Sequence, residues 1–157
     1  MIGAGSWGTA LALQFARAGC DVRLGGVVEL DLLEAMVTDR ENKRYLPGVV
    51  FPPNLRACPT LAECLDDVRD ILVAVPSHGL RDTLTQIKPL LRDDSRICWA
   101  TKGFELHSGK LPHQVAGEVL GSDRSMAVLS GPTFAKEVGE GLPTAMTVAS
   151  GDNEFAQ

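Results

Sequence analysis

Apolar positions along this 157-residue chain switch repeatedly between helical and strand-like spacing. Trp7, Leu11, Gln14, Phe15 and Ala18 recur at helical intervals, Ala10 to Leu13 are strong helix formers, and Gly19 offers a stop, so 6–18 reads as a helix. Val22-Arg23-Leu24 alternates and makes a strand ending near Gly25-Gly26, which Val27 and Val28 could extend. Leu30, Leu32, Leu33, Met36 and Val37 set a second helix over 29–39. The stretch 41–53 mixes charges and then carries Pro47, Pro52 and Pro53; it reads as a crossing loop. Thr60-Leu61-Ala62-Glu63 has the spacing of a capping box and opens a short helix to about Asp67.

The second half repeats the alternation. Residues 70–75 form a continuous apolar run, the mark of a strand covered on both faces, and Pro76 ends it. Ser77 caps a helix whose stripe is Leu80, Leu84, Ile87 and Leu91, bent or shortened by Pro89. A buried strand at 96–101, a helix at 112–120, a strand at 126–130, a turn at 131–133, a short helix through Glu137 and a strand at 145–149 complete the series. Strands alternating with helices imply βαβ crossovers and a mainly parallel, doubly wound α/β sheet in one domain.

Composition narrows the function without naming it. The chain is 45% hydrophobic and 22% charged, ordinary for a globular domain. A net charge of -5 argues against a nucleic-acid partner, which needs clustered Lys and Arg. No apolar run approaches the roughly 20 residues of a membrane helix, so no integral membrane segment is expected. Met1-Ile2 runs straight into glycine without a signal peptide, and a cytoplasmic protein is the expectation. Cys20, Cys58, Cys64 and Cys98 lack C-x-x-C spacing and His78, His107 and His113 are far apart, so no metal site is expected.

The chemistry is expected at the first turn. Gly3-Ala4-Gly5-Ser6-Trp7-Gly8 is a G-x-G-x-x-G running into a helix. In such a turn Gly3 makes the bend, Gly5 lets backbone N–H groups approach a pyrophosphate, and Gly8 lets the helix pack on the sheet. Only Met1 and Ile2 remain of the strand that should precede it, so the sheet is expected to lack most of its first, central strand and the turn its anchor. Ligands of open parallel sheets sit beyond the strands' carboxyl ends. There the later turns Gly25-Gly26-Val27, Pro76-Ser77-His78, Lys102-Gly103 and Gly131-Pro132-Thr133 should share one rim with the glycines, and Lys102 becomes a candidate to neutralise a phosphate or polarise a carbonyl.

At these residues the chain resembles the NAD(P)-dependent glycerol-3-phosphate dehydrogenases of the bacterial type. The stretches that carry the resemblance are 3–12, Asn42-Lys43-Arg44-Tyr45-Leu46-Pro47, Val75-Pro76-Ser77, Trp99-Ala100-Thr101-Lys102-Gly103 and 129–137. The resemblance covers 1–157 and implies a Rossmann-type cofactor domain, with a helical second domain and its catalytic lysine absent from this chain. It implies NAD or NADP as cofactor, contacted by Gly3, Gly5, Ser6, Trp7, Gly8, Lys102 and Ala135. It implies dihydroxyacetone phosphate and sn-glycerol 3-phosphate as substrates, contacted by Lys102, Gly131 and Thr133, with Lys102 in an electrostatic catalytic role. Glycerol 3-phosphate for phospholipid synthesis would be the product, and the missing domain admits a homodimer.

Two departures from the family pattern leave choices open. Gly25-Gly26-Val27-Val28 stands where the family has an aromatic and then a basic or polar residue, and Glu29 lies where an acid would favour a free ribose 2'-hydroxyl or simply begin a helix, so NAD and NADP stay undecided. The truncated ends leave a non-catalytic nucleotide-binding module, or a different Rossmann dehydrogenase such as a ketopantoate or hydroxyacid reductase, as alternatives. His78 reads as a bystander, and Arg40, Lys43 and Arg44 as a solvated face.

Overall fold

A computed structural model describes residues 1–27 and 30–157. The strand extension through Val28 and the role of Glu29 lie outside the described residues. In chain order the elements are α1 (Ser6–Arg17), β1 (Val22–Leu24), α2 (Leu30–Asp39), β2 (Leu55–Ala57), α3 (Leu61–Leu65), β3 (Asp70–Val73) and α4 (Ser77–Ile87). There follow a 3-10 turn (Lys88–Leu90), β4 (Arg96–Trp99), α5 (Pro112–Leu120), β5 (Met126–Ser130), α6 (Ala135–Glu140), β6 (Thr147–Ser150) and α7 (Asn153–Ala156).

The strands form two ladders. β1 pairs with β2 in parallel, Val22 opposite Leu55. The other runs β3-β4-β5-β6, parallel through β5 with Ile71 opposite Ile97 and Ile97 opposite Met126. β6 turns back antiparallel, Leu129 opposite Val148, so the sheet is mainly and not wholly parallel.

What joins the ladders corrects the expectation that the glycine turn has lost its anchor. Ile2, fully buried, bridges Gly25 on one side and Val73 on the other, parallel to both. The Ile2 amide donates to Leu72 O at 2.8 Å and the Ala74 amide to Ile2 O at 2.8 Å. Toward β1, the Gly3 amide donates to Gly25 O at 2.8 Å and the Gly25 amide to Met1 O at 3.0 Å. One residue thus holds the central position, and the spatial order becomes β2-β1-Ile2-β3-β4-β5-β6. Below Ile2, β1 and β3 face each other across a cavity of about 610 Å³ lined by Val22, Arg23, Cys64, Asp70 and Ile71 among others.

Helices cover both faces, as the two-sided apolar strands require. On one face α1 buries Leu13 against Leu24, Leu33, Met36 and Leu55, and Leu11 against Leu72, Ala100 and Leu129. On the other α4 buries Leu80, Leu84 and Ile87 with Val115 of α5 over Ile71, Val73 and Ile97. Each such leucine removed from water stabilises by about 2 kcal/mol. Pro89 ends α4 by converting its last turn to the 3-10 geometry, because it has no N–H to continue the ladder. Thr60 caps α3 by accepting from the Glu63 amide at 3.2 Å, as the spacing predicted.

Candidate functional site

The first turn meets each steric demand that its glycines suggest. Gly3 has φ +118°, and a Cβ there would lie 2.4 Å from Ala74 O. At Gly8 a Cβ would lie 1.8 Å from Gly3 O, so helix and turn touch backbone to backbone. At Gly5 a Cβ would meet nothing within 4 Å: the space over this residue opens at the N-terminus of α1. The helix ladder starts with the Thr9 amide donating to Gly5 O at 3.0 Å, so the N–H groups of Ser6, Trp7 and Gly8 have no acceptor within the helix. The first turn carries no acidic side chain that would compete with an anion. Donors, dipole and open space coincide, which is what a pyrophosphate needs.

A loop from the far side clamps this turn. Asn42, fully buried, donates through Nδ2 to Ala4 O and to Thr9 Oγ1, both at 2.8 Å, and accepts from the Tyr45 amide at 3.1 Å. The Ser6 hydroxyl donates to Tyr45 O at 2.7 Å, which leaves its backbone N–H and its oxygen lone pairs for a ligand. The neighbouring basic residues serve the loop: Arg40 donates to Phe51 O, Pro52 O and Leu55 O, Lys43 pairs with Asp39, and Arg44 lies over the Tyr45 ring.

Lys102 completes the rim. It is exposed at the end of β4, its Nζ donates to Gly131 O at 3.0 Å, and it stands 5.9 Å from the centroid of the Trp7 ring. Three segments distant in sequence, the glycine turn, the 102 loop and the 131–133 turn, therefore converge on one ammonium. Two buried polar atoms at this rim lack a partner: Trp7 Nε1 and Thr133 Oγ1. Such orphans cost about 1–3 kcal/mol each unless something else satisfies them. The open space above Gly5 at the N-terminus of α1 fits the pyrophosphate of a dinucleotide. Gly131 is packed so tightly that a Cβ would lie 2.9 Å from Ala145 O, so it offers backbone only. Ala135 opens α6, half-buried against the cluster that α1 shares, and Arg17 ties the two helices by donating to Val138 O at 3.0 Å. His78 is exposed.

The 102 loop has its own brace, which the sequence reading missed. Arg81 of α4 pairs with Glu105 at 2.8 Å and with Glu118 of α5 at 2.8 Å, while Ser108 donates to Glu105 and Lys110 pairs with Glu118. The Arg81 guanidinium, helped by the Ser108 hydroxyl, lowers the Glu105 carboxyl from 4.5 to about 2. A depressed carboxyl contributes stability above its ordinary 4.5 and loses it as pH falls toward about 2. Across that window the melting temperature of the native protein should fall more steeply than that of Glu105→Gln. Parallel melting curves would remove the ion pair from the brace.

A family model described as NAD-dependent glycerol-3-phosphate dehydrogenase N-terminus matches residues 1–156. A glycerol-3-phosphate dehydrogenase (NAD(P)+) of Aliivibrio fischeri is 53% identical over 159 residues, which take in 100% of this chain and 46% of that protein. Among solved structures, glycerol-3-phosphate dehydrogenase of Coxiella burnetii superposes with a TM-score of 0.93 at 45% identity, over 98% of this chain and 46% of that one. That of Saccharomyces cerevisiae gives 0.82 at 29% identity, over 99% and 48%. The chain spans about half the length of the curated relatives it matches.

Proposed function

We propose, from the premise that this chain belongs to the family of NAD-dependent glycerol-3-phosphate dehydrogenase N-termini, that it is the dinucleotide-binding domain of an enzyme interconverting dihydroxyacetone phosphate and sn-glycerol 3-phosphate. The observation that carries the reading is the meeting of Lys102 with Trp7 and Gly131 beside the open space over Gly5.

On this reading the amides of Ser6, Trp7 and Gly8 hold the pyrophosphate and Asn42 keeps their turn in shape. Gly3, Gly5 and Gly8 make room for it, and Ala135 borders it from α6. Bound there, the nicotinamide ring supplies the hydride at its C4 in reduction and accepts it in the reverse direction. Lys102 exchanges its bond to Gly131 O for the substrate, where an ammonium neutralises the phosphate and polarises the carbonyl. Thr133 Oγ1 and the Gly131 backbone fix the glycerol phosphate, which orients the carbonyl carbon for attack. We assign the proton donor to a helical second domain, for which the greater length of the relatives leaves room and through which a homodimer could form. Among the described residues no helix is long and apolar enough to cross a membrane. With all four cysteines unpaired, we infer work in the reducing cytoplasm, delivering glycerol 3-phosphate to phospholipid synthesis.

The full-length protein, assayed with NADH and separately with NADPH, should oxidise at least one of them when dihydroxyacetone phosphate is added. Failure with both, under conditions where the dinucleotide binds, overturns the reading. The ratio of the two rates decides the cofactor preference.

A further inference from the structure

Ser130 is the last rung of β5 and pairs with Thr147, the first of β6, so residues 131–146 leave the sheet and return to the same point. This excursion carries Gly131, Thr133 and Ala135. Its feet are closed, because the space a Cβ would take at Gly131 is filled by Ala145 O and the Met146 side chain. Its own backbone bonds stay within it: the Val138 amide donates to Phe134 O at 3.1 Å, that of Gly141 to Val138 O at 3.0 Å and that of Leu142 to Glu137 O at 2.9 Å. Among the described residues, the side chains that donate to it from elsewhere are Lys102, at Gly131 O, and Arg17, at Val138 O and Gly139 O.

Arg17 stands in the last turn of α1, the helix whose first turn presents the free amides. Its guanidinium meets the last turn of α6, where carbonyls lack partners within the helix and the dipole is negative. Nη1 donates to Val138 O at 3.0 Å and Nη2 to the next carbonyl, Gly139 O. The planar fork suits two successive acceptors in a way that a single ammonium does not. Gly141 then turns the chain with φ +83°, and a Cβ there would stand 3.4 Å from Arg17 Nη1, so a larger residue would press on the guanidinium. Packing supports the same union: Val138 is fully buried with Leu13 and Leu46, and a Cβ on Gly139 would lie 2.7 Å from Leu46 Cδ2. Leu46 belongs to the loop that Asn42 and Ser6 hold on the glycine turn.

We propose that Arg17 is a positioning residue for the substrate: through the carbonyls of Val138 and Gly139 it fixes the 131–135 segment relative to the dinucleotide on α1. The inference rests on the dehydrogenase reading given above. Hydride transfer requires the reacting atoms to be held about 3–3.5 Å apart. One rigid helix here carries the cofactor turn at its start and the tether of the substrate segment at its end. Arg17 lies roughly 16 Å along α1 from Ser6, at about 1.5 Å per residue, so it acts on the ligands only through α6. Its importance grows at the moment of binding. When Lys102 leaves Gly131 O for the substrate, Arg17 becomes the remaining side-chain hydrogen-bond tie from elsewhere among the described residues.

The full-length protein and its Arg17→Met and Arg17→Lys variants would be compared by fluorescence titration of NADH or NADPH, whichever the native protein prefers, and by steady-state rates with dihydroxyacetone phosphate. Arg17 is exposed, so the fold should survive its replacement. Arg17→Met should raise KM for dihydroxyacetone phosphate about tenfold, the lower end for losing hydrogen bonds to a charged group. Its kcat should fall by less than KM rises, and its Kd for the dinucleotide should stay within about twofold of the native value. Arg17→Lys, with one donor centre for two carbonyls, should fall between. A KM equal to the native one, or a dinucleotide Kd that rises in step with KM, overturns the proposal, since an arginine of merely structural use would give one or the other. A native protein inactive with dihydroxyacetone phosphate overturns the dehydrogenase reading and this inference with it. If Arg17→Met fails to fold, Arg17→Lys decides by the same split.

Discussion

Gly8→Ala should destroy the fold around the first turn, whereas Gly5→Ala should leave the fold intact and remove dinucleotide binding. At Gly8 the added carbon would sit 1.8 Å from a backbone oxygen, and neither the helix nor the turn is a flexible side-chain end that can swing aside. The penalty belongs at or beyond the upper end for overpacking, about 3 kcal/mol or more, which lowers the melting temperature of a domain this size by roughly 6–12 °C. At Gly5 the backbone has φ −72°, which alanine adopts freely, and the new methyl enters open space. Its effect on stability should stay within about 0.5 kcal/mol. That same methyl would occupy the approach of a pyrophosphate. Losing two charge-assisted hydrogen bonds weakens affinity on the order of a hundredfold. Thermal melts with a fluorescence titration of NADH separate the two outcomes. If Gly5→Ala binds NADH as the native protein does, the pyrophosphate does not rest there.

If the full-length protein catalyses the proposed reaction, Lys102→Ala should lower its kcat by about a hundred- to a thousandfold, the range for removing one donor aimed at developing charge. The side chain is exposed and its hydrogen bond goes to Gly131 O, so the melting temperature should not move. Lys102→Arg should not restore the rate, since a planar fork cannot stand in for a compact ammonium between Trp7 and Gly131. A change confined to KM would make Lys102 a binding residue alone, and an unchanged rate would remove it from the site.

Much of this was legible in the chain because short-range rules governed it. The helix at 6–17 followed from its spacing, the α3 cap from Thr60 and Glu63, and the shortened α4 from Pro89. β2 was missed: three residues, Leu55-Arg56-Ala57, are too few to show a period, and they owe their conformation to pairing with β1. The antiparallel turn of β6 is likewise a long-range pairing with no local signal. The approach of Lys102 to the Gly131 turn was legible because strand ends of a parallel sheet share a rim, whereas substrate roles for Gly131 and Thr133 rest on the resemblance alone. The motif around Asn42 announces no role for it, since its partners Ala4 and Thr9 lie more than thirty positions away. The brace of Arg81, Glu105 and Glu118 spans α4, a loop and α5, and no spacing announces it.

Ile2 has a mechanical meaning. Through Met1, Ile2 and Gly3 the backbone entering the glycine turn is hydrogen-bonded to both ladders, so the turn and its flanking rungs open together. A dinucleotide lying across Gly3 and Gly5 would hold that turn closed, so occupancy and the protection of those rungs become one variable. Its saturation should slow hydrogen exchange at the amides of Ile2, Gly25 and Ala74 in proportion to the ratio of ligand concentration to Kd.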